Sequence, residues 1–385
     1  MRTRLVADEN MIGLDTLPAS IEVRAVPGRS IDQAVLRDAD ALWVRSVTRV
    51  DEALVGGTAL RFVGSATAGL EHVDQAALAA RGIEFAAAPG ANAMAVVEYV
   101  VAALAHTREP WDRLARGGCL GIVGHGHVGR RLAAFARAMG WRHRVCDPPL
   151  AARNRDDTAY ADLDRILSCD VISLHCALHD TPPWPSRHLI DARALEQLTP
   201  GQWLINASRG AVLDTMALRG HLSGRAPARF VLDVWEGEPA IDATLAATPA
   251  VQLATPHIAG YSWDGKWRAT RMLLAAMGVD RPGQALRNST GPGIELPDAW
   301  PAGARDAAEL FAPVYDIGAD DARLRAVLAL PSPGERARGF DLLRRNYPLR
   351  REVSQLLADL GEEELKELGG EARQVAHALL AASHG

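Results

Sequence analysis

The chain has 385 residues, of which 48% are hydrophobic and 23% are charged, and its formal net charge is −5. This length predicts two or three domains, and the composition is that of an ordinary globular protein that can bury apolar cores. The small negative charge argues against the basic surface on which binding to nucleic acid or to anionic membranes depends. A mainly disordered chain is excluded as well.

Several cofactor and targeting classes are also excluded. Lys266 and Lys366 are the only lysines, and Gly265-Lys266 is followed by Trp267 instead of the Ser or Thr that a Walker loop needs. The four cysteines form no Cys-x-x-Cys pair and the histidines show no zinc spacing, so we expect no metal. The N-terminus does not resemble a signal peptide, and the longest apolar stretch contains Glu98. We therefore expect a cytoplasmic protein.

The first 90 residues alternate short apolar runs with helix-length segments. Such runs, when they end in polar or turn residues, are typical of buried parallel strands joined by crossover helices. We predict a small α/β domain with strands at 5–7, 21–25, 41–44, 62–63 and 83–86. A long helix at about 92–108 leads out of this domain.

A second series of apolar runs is more regular. Near-continuous apolar strands that alternate with helices predict a doubly wound parallel sheet covered on both faces. The predicted strands are 120–123, 143–146, 171–174, 203–206, 230–234 and 251–254. The predicted helices between them are 128–139, 163–167, 192–198, 213–222 and 241–246.

The pattern breaks after residue 276. The stretch 288–301 is rich in Gly and Pro and predicts a linker. A third segment starts at Ala304 and finishes with a predicted helical stretch at 362–382. Its central part is basic, with Arg344, Arg345, Arg350 and Arg351.

A dinucleotide-binding motif, Gly124-x-Gly126-x-x-Gly129, lies directly after a predicted strand and before a predicted helix. Its glycines permit a tight turn, close approach of a pyrophosphate to the backbone, and packing of helix against strand. Asp147 ends the next strand, 18 residues beyond Gly129, where a carboxylate that binds the ribose hydroxyls is expected. Because a carboxylate there repels a 2′-phosphate, the sequence favours NAD over NADP.

Three polar residues follow three successive strands of the second series, namely Arg209, Glu238 and His257. The carboxyl ends of parallel strands meet at one edge of a sheet, where ligands bind. Arg209 can grip a carboxylate, and a neutral His257 can take a hydroxyl proton. Glu238 can orient the imidazole and stabilise its protonated form. Each residue alone is commonly structural, but together they predict hydride transfer from a 2-hydroxy acid.

These residues resemble the D-isomer-specific 2-hydroxyacid dehydrogenases, and the resemblance extends over nearly the whole chain. The supporting segments are Gly124-x-Gly126-x-x-Gly129, Asp147, Asn206-x-x-Arg209-Gly210, Glu238-Pro239, Pro256-His257-x-x-Gly260, Val44-Arg45-Ser46-Val47-Thr48 and Phe340-Asp341-x-Leu343-Arg344. The family implies NAD-dependent oxidation of a hydroxy acid, here a small phosphorylated one, with Arg209, Glu238 and His257 catalytic. One departure is His175-Cys176-Ala177-Leu178, where a His-Thr-Pro-Leu turn is expected, so a hydroxyl near the cofactor ribose is lost.

The resemblance also implies the remaining site residues. Cofactor binding is expected of Gly124, Gly126, His127, Val128, Gly129, Asp147, Cys176, Ala207, Ser208, Arg209, Asp233 and Gly260. Substrate binding is expected of Ser46, Thr67 and Tyr261, and of Arg45, which ends a strand beside Ser46. Because the substrate carries both carboxylate and phosphate, we also consider that the basic cluster at 344–351 holds phosphate across a dimer interface; solvated surface is the simpler interpretation.

The implied architecture has three parts. Residues 1–91 and 258–282 form a flavodoxin-like substrate-binding lid domain, and residues 92–257 form an NAD-binding Rossmann domain. Residues 283–385 form a C-terminal α/β dimerisation domain, so a homodimer is expected. Two alternatives stay open: a dehydrogenase of another 2-hydroxy acid, such as 3-phosphoglycerate or glycerate, and a non-enzymatic NAD-sensing binding protein on the same scaffold.

Overall fold

The computed structural model describes residues 2–67, 69–153, 160–224, 227–279, 300–348 and 350–384. Its strands are β1 (Thr3–Asp8), β2 (Ile21–Val26), β3 (Ala41–Val44), β4 (Phe62–Ser65), β5 (Glu84–Ala87), β6 (Cys119–Val123), β7 (Arg142–Cys146), β8 (Val171–Leu174), β9 (Trp203–Asn206), β10 (Arg229–Leu232) and β11 (Val251–Ala254). Its helices are α1 (Gln33–Leu36), α2 (Glu52–Val55), α3 (Gln75–Ala80), α4 (Ala93–Thr107), α5 (Glu109–Ala115), α6 (His127–Ala138), α7 (Pro148–Arg153), α8 (Leu163–Leu167), α9 (Ala192–Glu196), α10 (Thr215–Leu222), α11 (Ala243–Ala246), α12 (Trp263–Ala276), α13 (Ala307–Phe311), α14 (Ile317–Leu328), α15 (Pro333–Arg345), α16 (Val353–Ala358), α17 (Glu362–Lys366) and α18 (Gly370–Ser383).

The chain folds into two compact units. The first combines Met1–Asn92 with Ser262–Gly293, and the second combines Ala93–Tyr261 with Ile294–Gly385. The first unit is therefore discontinuous in sequence, because α12 returns to it after the second sheet is complete.

The first unit contains a five-stranded parallel sheet in the order β2-β1-β3-β4-β5. This is the flavodoxin-like order, in which the crossover direction reverses between β1 and β3. All four residues of β3 and of β4 are buried, as expected of central strands covered by helices.

The second unit contains a six-stranded parallel sheet in the order β7-β6-β8-β9-β10-β11. Beyond β7, Val145 forms an isolated parallel bridge with Tyr160, and the Ala161 amide donates to the Val145 carbonyl at 2.7 Å. If Tyr160 counts as a strand reduced to one residue, the order is that of the Rossmann fold, 3-2-1-4-5-6, with β11 added as a seventh strand at the edge. The predicted pair of doubly wound parallel sheets is confirmed.

Aspartates set where many helices begin. Each accepts a hydrogen bond from a backbone N–H two or three residues along, which satisfies a donor that the first helical turn leaves unpaired. The caps are Asp32, Asp51, Asp74, Asp162, Asp191, Asp214, Asp242, Asp306 and Asp316. The helices predicted at 213–222 and 241–246 begin two residues later than predicted, because Asp214 and Asp242 cap them.

The C-terminal segment differs from the expected α/β domain, because its described residues, 300–348 and 350–384, form helices and no strand. It also belongs to the second unit instead of standing apart. The reason is apolar packing: α18 lies against α6, and buried residues of α13, α16 and α18 join one core with α4 and β6. The helical stretch predicted at 362–382 is divided into two helices, α17 and α18.

The predicted strands are all observed, with ends that differ by at most two residues. Most of the predicted linker at 288–301 lies outside the described residues. Within the described ranges, no helix has both the length and the apolar character needed to cross a bilayer.

Candidate active site

The centre of the site is a hydrogen-bonded pair, His257 and Glu238, which follow the adjacent parallel strands β11 and β10. The Nδ1 atom of His257 lies 2.7 Å from Oε2 of Glu238. The other carboxylate oxygen, Oε1, accepts a hydrogen bond from the Trp235 amide at 2.8 Å. With the carboxylate held in this way, Nδ1 of the imidazole is the donor and Nε2 is left as the proton acceptor.

Asp233 holds the backbone around His257. Its carbonyl accepts from the His257 amide at 2.7 Å, and its carboxylate accepts from the amides of Ile258 and Ala259 at 2.8 and 3.0 Å. The hydroxyl of Thr255 donates to the same carboxylate at 2.7 Å. Burial raises the pKa of Asp233. These bonds fix His257 at φ +58°, a left-handed conformation that is unfavourable for a non-glycine residue.

Arg209 leaves β9 at the same edge of the sheet. The Asn206 side chain shapes its loop, since Oδ1 accepts from the Ser208 amide and hydroxyl and Nδ2 donates to the Arg209 carbonyl. A Cβ atom on Gly210 would overlap the backbone of Trp235, so this loop packs directly on the turn that carries Glu238. The structure thus brings the exits of β9, β10 and β11 together, as predicted.

The glycine-rich loop has the shape that a dinucleotide requires. Gly124 has φ +91°, and a Cβ atom on Gly129 would overlap the Gly124 carbonyl oxygen, so both positions need glycine. A Cβ atom on Gly126 would meet no protein atom within 4 Å, which leaves open space beside the backbone. Gly126 precedes α6, whose N-terminus offers amides and partial positive charge to a pyrophosphate. These residues fit NAD.

The predicted ribose carboxylate, Asp147, follows β7 beside this loop. Its Oδ2 accepts from the His125 amide at 2.8 Å and its Oδ1 accepts from the Leu150 amide at 3.0 Å, which orients the carboxylate and leaves each oxygen further acceptor capacity. His127 begins α6 and contacts the Arg130 guanidinium. Burial raises the pKa of the Cys176 thiol to about 12, so this side chain stays neutral.

The other predicted residues lie in both units. In the first unit, Arg45 pairs with the fully buried Asp8 at 3.2 Å, and Ser46 lies in the turn that follows β3. The Thr67 hydroxyl lies 2.9 Å from that of Ser65, at the end of β4. In the second unit, Val128 lies in the first turn of α6, Ala207 packs partly against the core, and Gly260 follows the His257 loop.

Residues of the C-terminal helices also reach this site within the same chain, a placement that the basic stretch at 344–351 did not predict, because it suggested only a dimer interface or solvated surface. The Nη1 atom of Arg344 lies 4.0 Å from Oε2 of Glu238, within the same chain. The Tyr347 ring contacts that of Tyr261 edge-on at 5.7 Å between centroids. Arg350 is buried, so its assignment to a solvated or interface cluster is wrong. The basic stretch at 344–351 was the only sequence feature that pointed to these residues, and it did not distinguish the buried Arg350 from Arg344 beside Glu238.

A glycine-rich nucleotide-binding loop and a histidine–glutamate pair at the carboxyl edge of one parallel sheet define a nicotinamide-dependent dehydrogenase. Residues 102–259 match the model of the NAD binding domain of D-isomer specific 2-hydroxyacid dehydrogenases. Residues 294–369 match the model of a domain of unknown function.

Curated relatives match almost the full length. The erythronate-4-phosphate dehydrogenase of Azotobacter vinelandii is 43% identical over 94% of this chain and 96% of its own. That of Pseudomonas aeruginosa is 44% identical over 94% of this chain and 97% of its own. The chain belongs to the erythronate-4-phosphate dehydrogenase family, within the D-isomer specific 2-hydroxyacid dehydrogenases.

Solved structures share the fold. The TT0316 protein of Thermus thermophilus is 25% identical, with a TM-score of 0.57, over 73% of this chain and 99% of that one. A D-lactate dehydrogenase of Aquifex aeolicus, solved with NAD and lactic acid, is 22% identical, with a TM-score of 0.57, over 72% of this chain and 96% of that one.

Proposed function

We propose that the chain oxidises 4-phospho-D-erythronate to 2-oxo-3-hydroxy-4-phosphobutanoate with NAD, as a step of pyridoxal 5′-phosphate biosynthesis. The observation that carries this proposal is the His257–Glu238 pair, 2.7 Å apart, in a chain 43–44% identical to curated erythronate-4-phosphate dehydrogenases. Oxidation of an alcohol at C2 needs a base that removes the hydroxyl proton, and the His257–Glu238 pair can supply this base.

His257 acts as this base. Its Nε2 atom takes the proton of the C2 hydroxyl, and the carboxylate of Glu238 stabilises the imidazolium that forms. When bound, NAD accepts the hydride that leaves C2. Asp233 holds the backbone of residues 257–259, so that the imidazole does not have to be reoriented during the reaction.

Arg209 binds the substrate carboxylate and holds the C2 oxygen near His257. A guanidinium suits this role because it can donate two parallel hydrogen bonds to a carboxylate. We propose that Arg45, Ser46, Thr67 and Tyr261 complete substrate binding. Residues 1–91 and 258–282 then serve as a lid domain, and residues 92–257 as the NAD-binding domain.

The loop Gly124–Gly129, with His127 and Val128, would hold the cofactor, and Asp147 would bind its ribose. The remaining contacts come from Cys176, Ala207, Ser208, Arg209, Asp233 and Gly260. At Cys176, where we expect a threonine, the backbone would contribute instead of a hydroxyl. Open space beside Gly126 and the placement of Asp147 next to the loop support this arrangement.

The decisive experiment is NADH formation by the purified protein with 4-phosphoerythronate, 3-phosphoglycerate or glycerate. We expect the highest kcat/KM with 4-phosphoerythronate. Preference for 3-phosphoglycerate or glycerate would instead assign another 2-hydroxy acid, and NAD binding without turnover of any of the three would favour an NAD-sensing protein.

We also propose a cytoplasmic homodimer formed through the C-terminal segment 283–385. Light scattering of the full chain at micromolar concentration measures its oligomeric state. A mass near twice 41.3 kDa is expected, and a mass of one chain at all concentrations would contradict the dimer.

A further inference from the structure

We propose that Arg344 is a positioning residue that holds Glu238 as the ionised partner of His257, so that the C-terminal helical segment completes the active site within its own chain. This inference rests on the proposed function, because it assigns a role within the same hydride-transfer site. It also assigns a role to a segment of which residues 294–369 match the model of a domain of unknown function.

The position of Arg344 is the first observation. It lies in the last turn of α15, and its Nη1 atom is 4.0 Å from Oε2 of Glu238, the oxygen bound to His257. The side chains of Arg344 and Glu238 are only 24% and 17% exposed. A separation of 4.0 Å is too long for a hydrogen bond, so the guanidinium acts on the carboxylate through its charge.

The second observation is that this part of the chain is anchored to the loop of His257. The buried Arg350 donates from Nη2 to the carbonyl of Ala259 at 3.0 Å, and its guanidinium lies 4.0 Å from the ring centroid of Tyr315. The hydroxyl of Tyr347 donates to Asp320 at 2.7 Å, which ties the end of α15 to α14. Arg344 therefore has a defined place beside the pair.

The charge of Arg344 acts on both members of the His257–Glu238 pair. A positive charge beside the pair favours the carboxylate form of Glu238 and disfavours the imidazolium form of His257. Both effects keep the pair as carboxylate and neutral imidazole, the form that can accept a proton from the substrate.

Other groups near the pair are unchanged by substituting Arg344. They are Asp233 after β10, Arg209 after β9, Tyr99 in α4, Asp320 and Arg323 in α14, and Tyr347 and Arg350 between α15 and α16. Their effect on the titration of the pair is therefore the same in the unaltered chain and in the Arg344 variants. Arg345 supplies a matched control, because it is the next residue of the same helix, carries the same charge and is exposed.

The test compares Arg344→Gln, Arg344→Lys and Arg345→Gln with the unaltered chain. NMR titration of the His257 imidazole, identified by its absence in His257→Gln, and the acid limb of the pH profile of kcat/KM are both recorded. In Arg344→Gln both midpoints should move to higher pH, because the nearby positive charge is gone. In Arg344→Lys, which keeps the positive charge, both midpoints should stay near those of the unaltered chain, and Arg345→Gln should also leave them in place.

Two results would overturn the proposal. One is an unchanged His257 titration in Arg344→Gln when circular dichroism shows a folded protein. The other is a raised KM for 4-phosphoerythronate with unmoved midpoints, which would put Arg344 on the substrate phosphate instead. The NMR titration needs no substrate, so it decides the role of Arg344 even if the chain fails to oxidise 4-phosphoerythronate and the proposed function is wrong.

Discussion

The carboxylate of Glu98 and the guanidinium of Arg350 lie 4.0 Å apart in the interior of the second unit, with 0% and 5% of their side chains exposed. Glu98 also accepts hydrogen bonds from the amides of Val353 and Ser354 at 2.8 and 2.9 Å. This buried cluster joins α4, the loop after His257 and the start of α16. It connects the C-terminal helices to the domain that holds the active site.

We predict that this cluster makes stability depend on pH. Burial, and next the charge of Glu352, raise the pKa of Glu98 to about 7. Because the folded state then binds a proton more tightly than the unfolded state, stability falls as pH rises between about 4.5 and about 7. From pH 5 to pH 7.5, the free energy of unfolding should fall by about 1–3 kcal/mol more in the unaltered chain than in Glu98→Gln.

Urea denaturation of both proteins at the two pH values measures this difference. Glu309→Gln is a suitable control, since Glu309 is a surface carboxylate whose pKa is lowered by hydrogen bonds from Arg305. A constant difference between the unaltered chain and Glu98→Gln would show that Glu98 has the same proton affinity in both states.

Removal of the base should strongly reduce turnover. His257→Ala is expected to reduce kcat by roughly 100-fold or more, because it removes the imidazole proposed to accept the hydroxyl proton. Glu238→Gln should reduce kcat less, by about 10- to 100-fold, since an amide can still accept the hydrogen bond from Nδ1 but cannot stabilise imidazolium by charge. Steady-state kinetics at saturating NAD measures both.

A second histidine–glutamate pair supplies the control. His188 and Glu236 are hydrogen-bonded at 2.8 Å, and His188 also has a positive φ, +52°. His188→Ala should keep kcat within a few-fold of the unaltered chain. Equal losses in His188→Ala and His257→Ala would contradict the specific role of His257.

The glycine loop should respond differently at two positions. Gly126→Ala adds a methyl group into space free of protein atoms, so the thermal midpoint should hardly change while the dissociation constant for NAD rises at least tenfold. Gly129→Ala forces a clash with the Gly124 carbonyl and should destabilise the protein by about 1–3 kcal/mol. Calorimetric NAD titration and thermal unfolding separate the two effects; unchanged NAD affinity in Gly126→Ala would place the pyrophosphate elsewhere.

Asp147 should set the choice between NAD and NADP. In Asp147→Asn an oxygen remains to accept a backbone hydrogen bond, but the charge that repels a 2′-phosphate is gone. The ratio of kcat/KM for NAD to that for NADP should fall at least tenfold. Asp180→Asn, which removes an exposed carboxylate paired with Arg187, should not alter this ratio.

Much of the fold follows from local patterns. The strands of both sheets are short apolar runs between turn signals, and local residues determine where these runs start and stop. The glycine motif and Asp147 could be predicted because they lie within one strand–helix–strand unit, whose geometry is nearly constant. The exits of β9, β10 and β11 were predictable because consecutive parallel strands end at one edge.

What the sequence by itself determined, then, is the pair of parallel sheets, the nucleotide loop and the edge at which Arg209, Glu238 and His257 emerge. Only the tertiary structure decided that the C-terminal segment is helical and joins the second core, that Arg350 is buried, and that Arg344 faces Glu238. These relations connect residues about 100 or more positions apart, as with Glu98 and Ser354. No periodicity or spacing encodes them, because they depend on which apolar faces pack together once the sheets have formed.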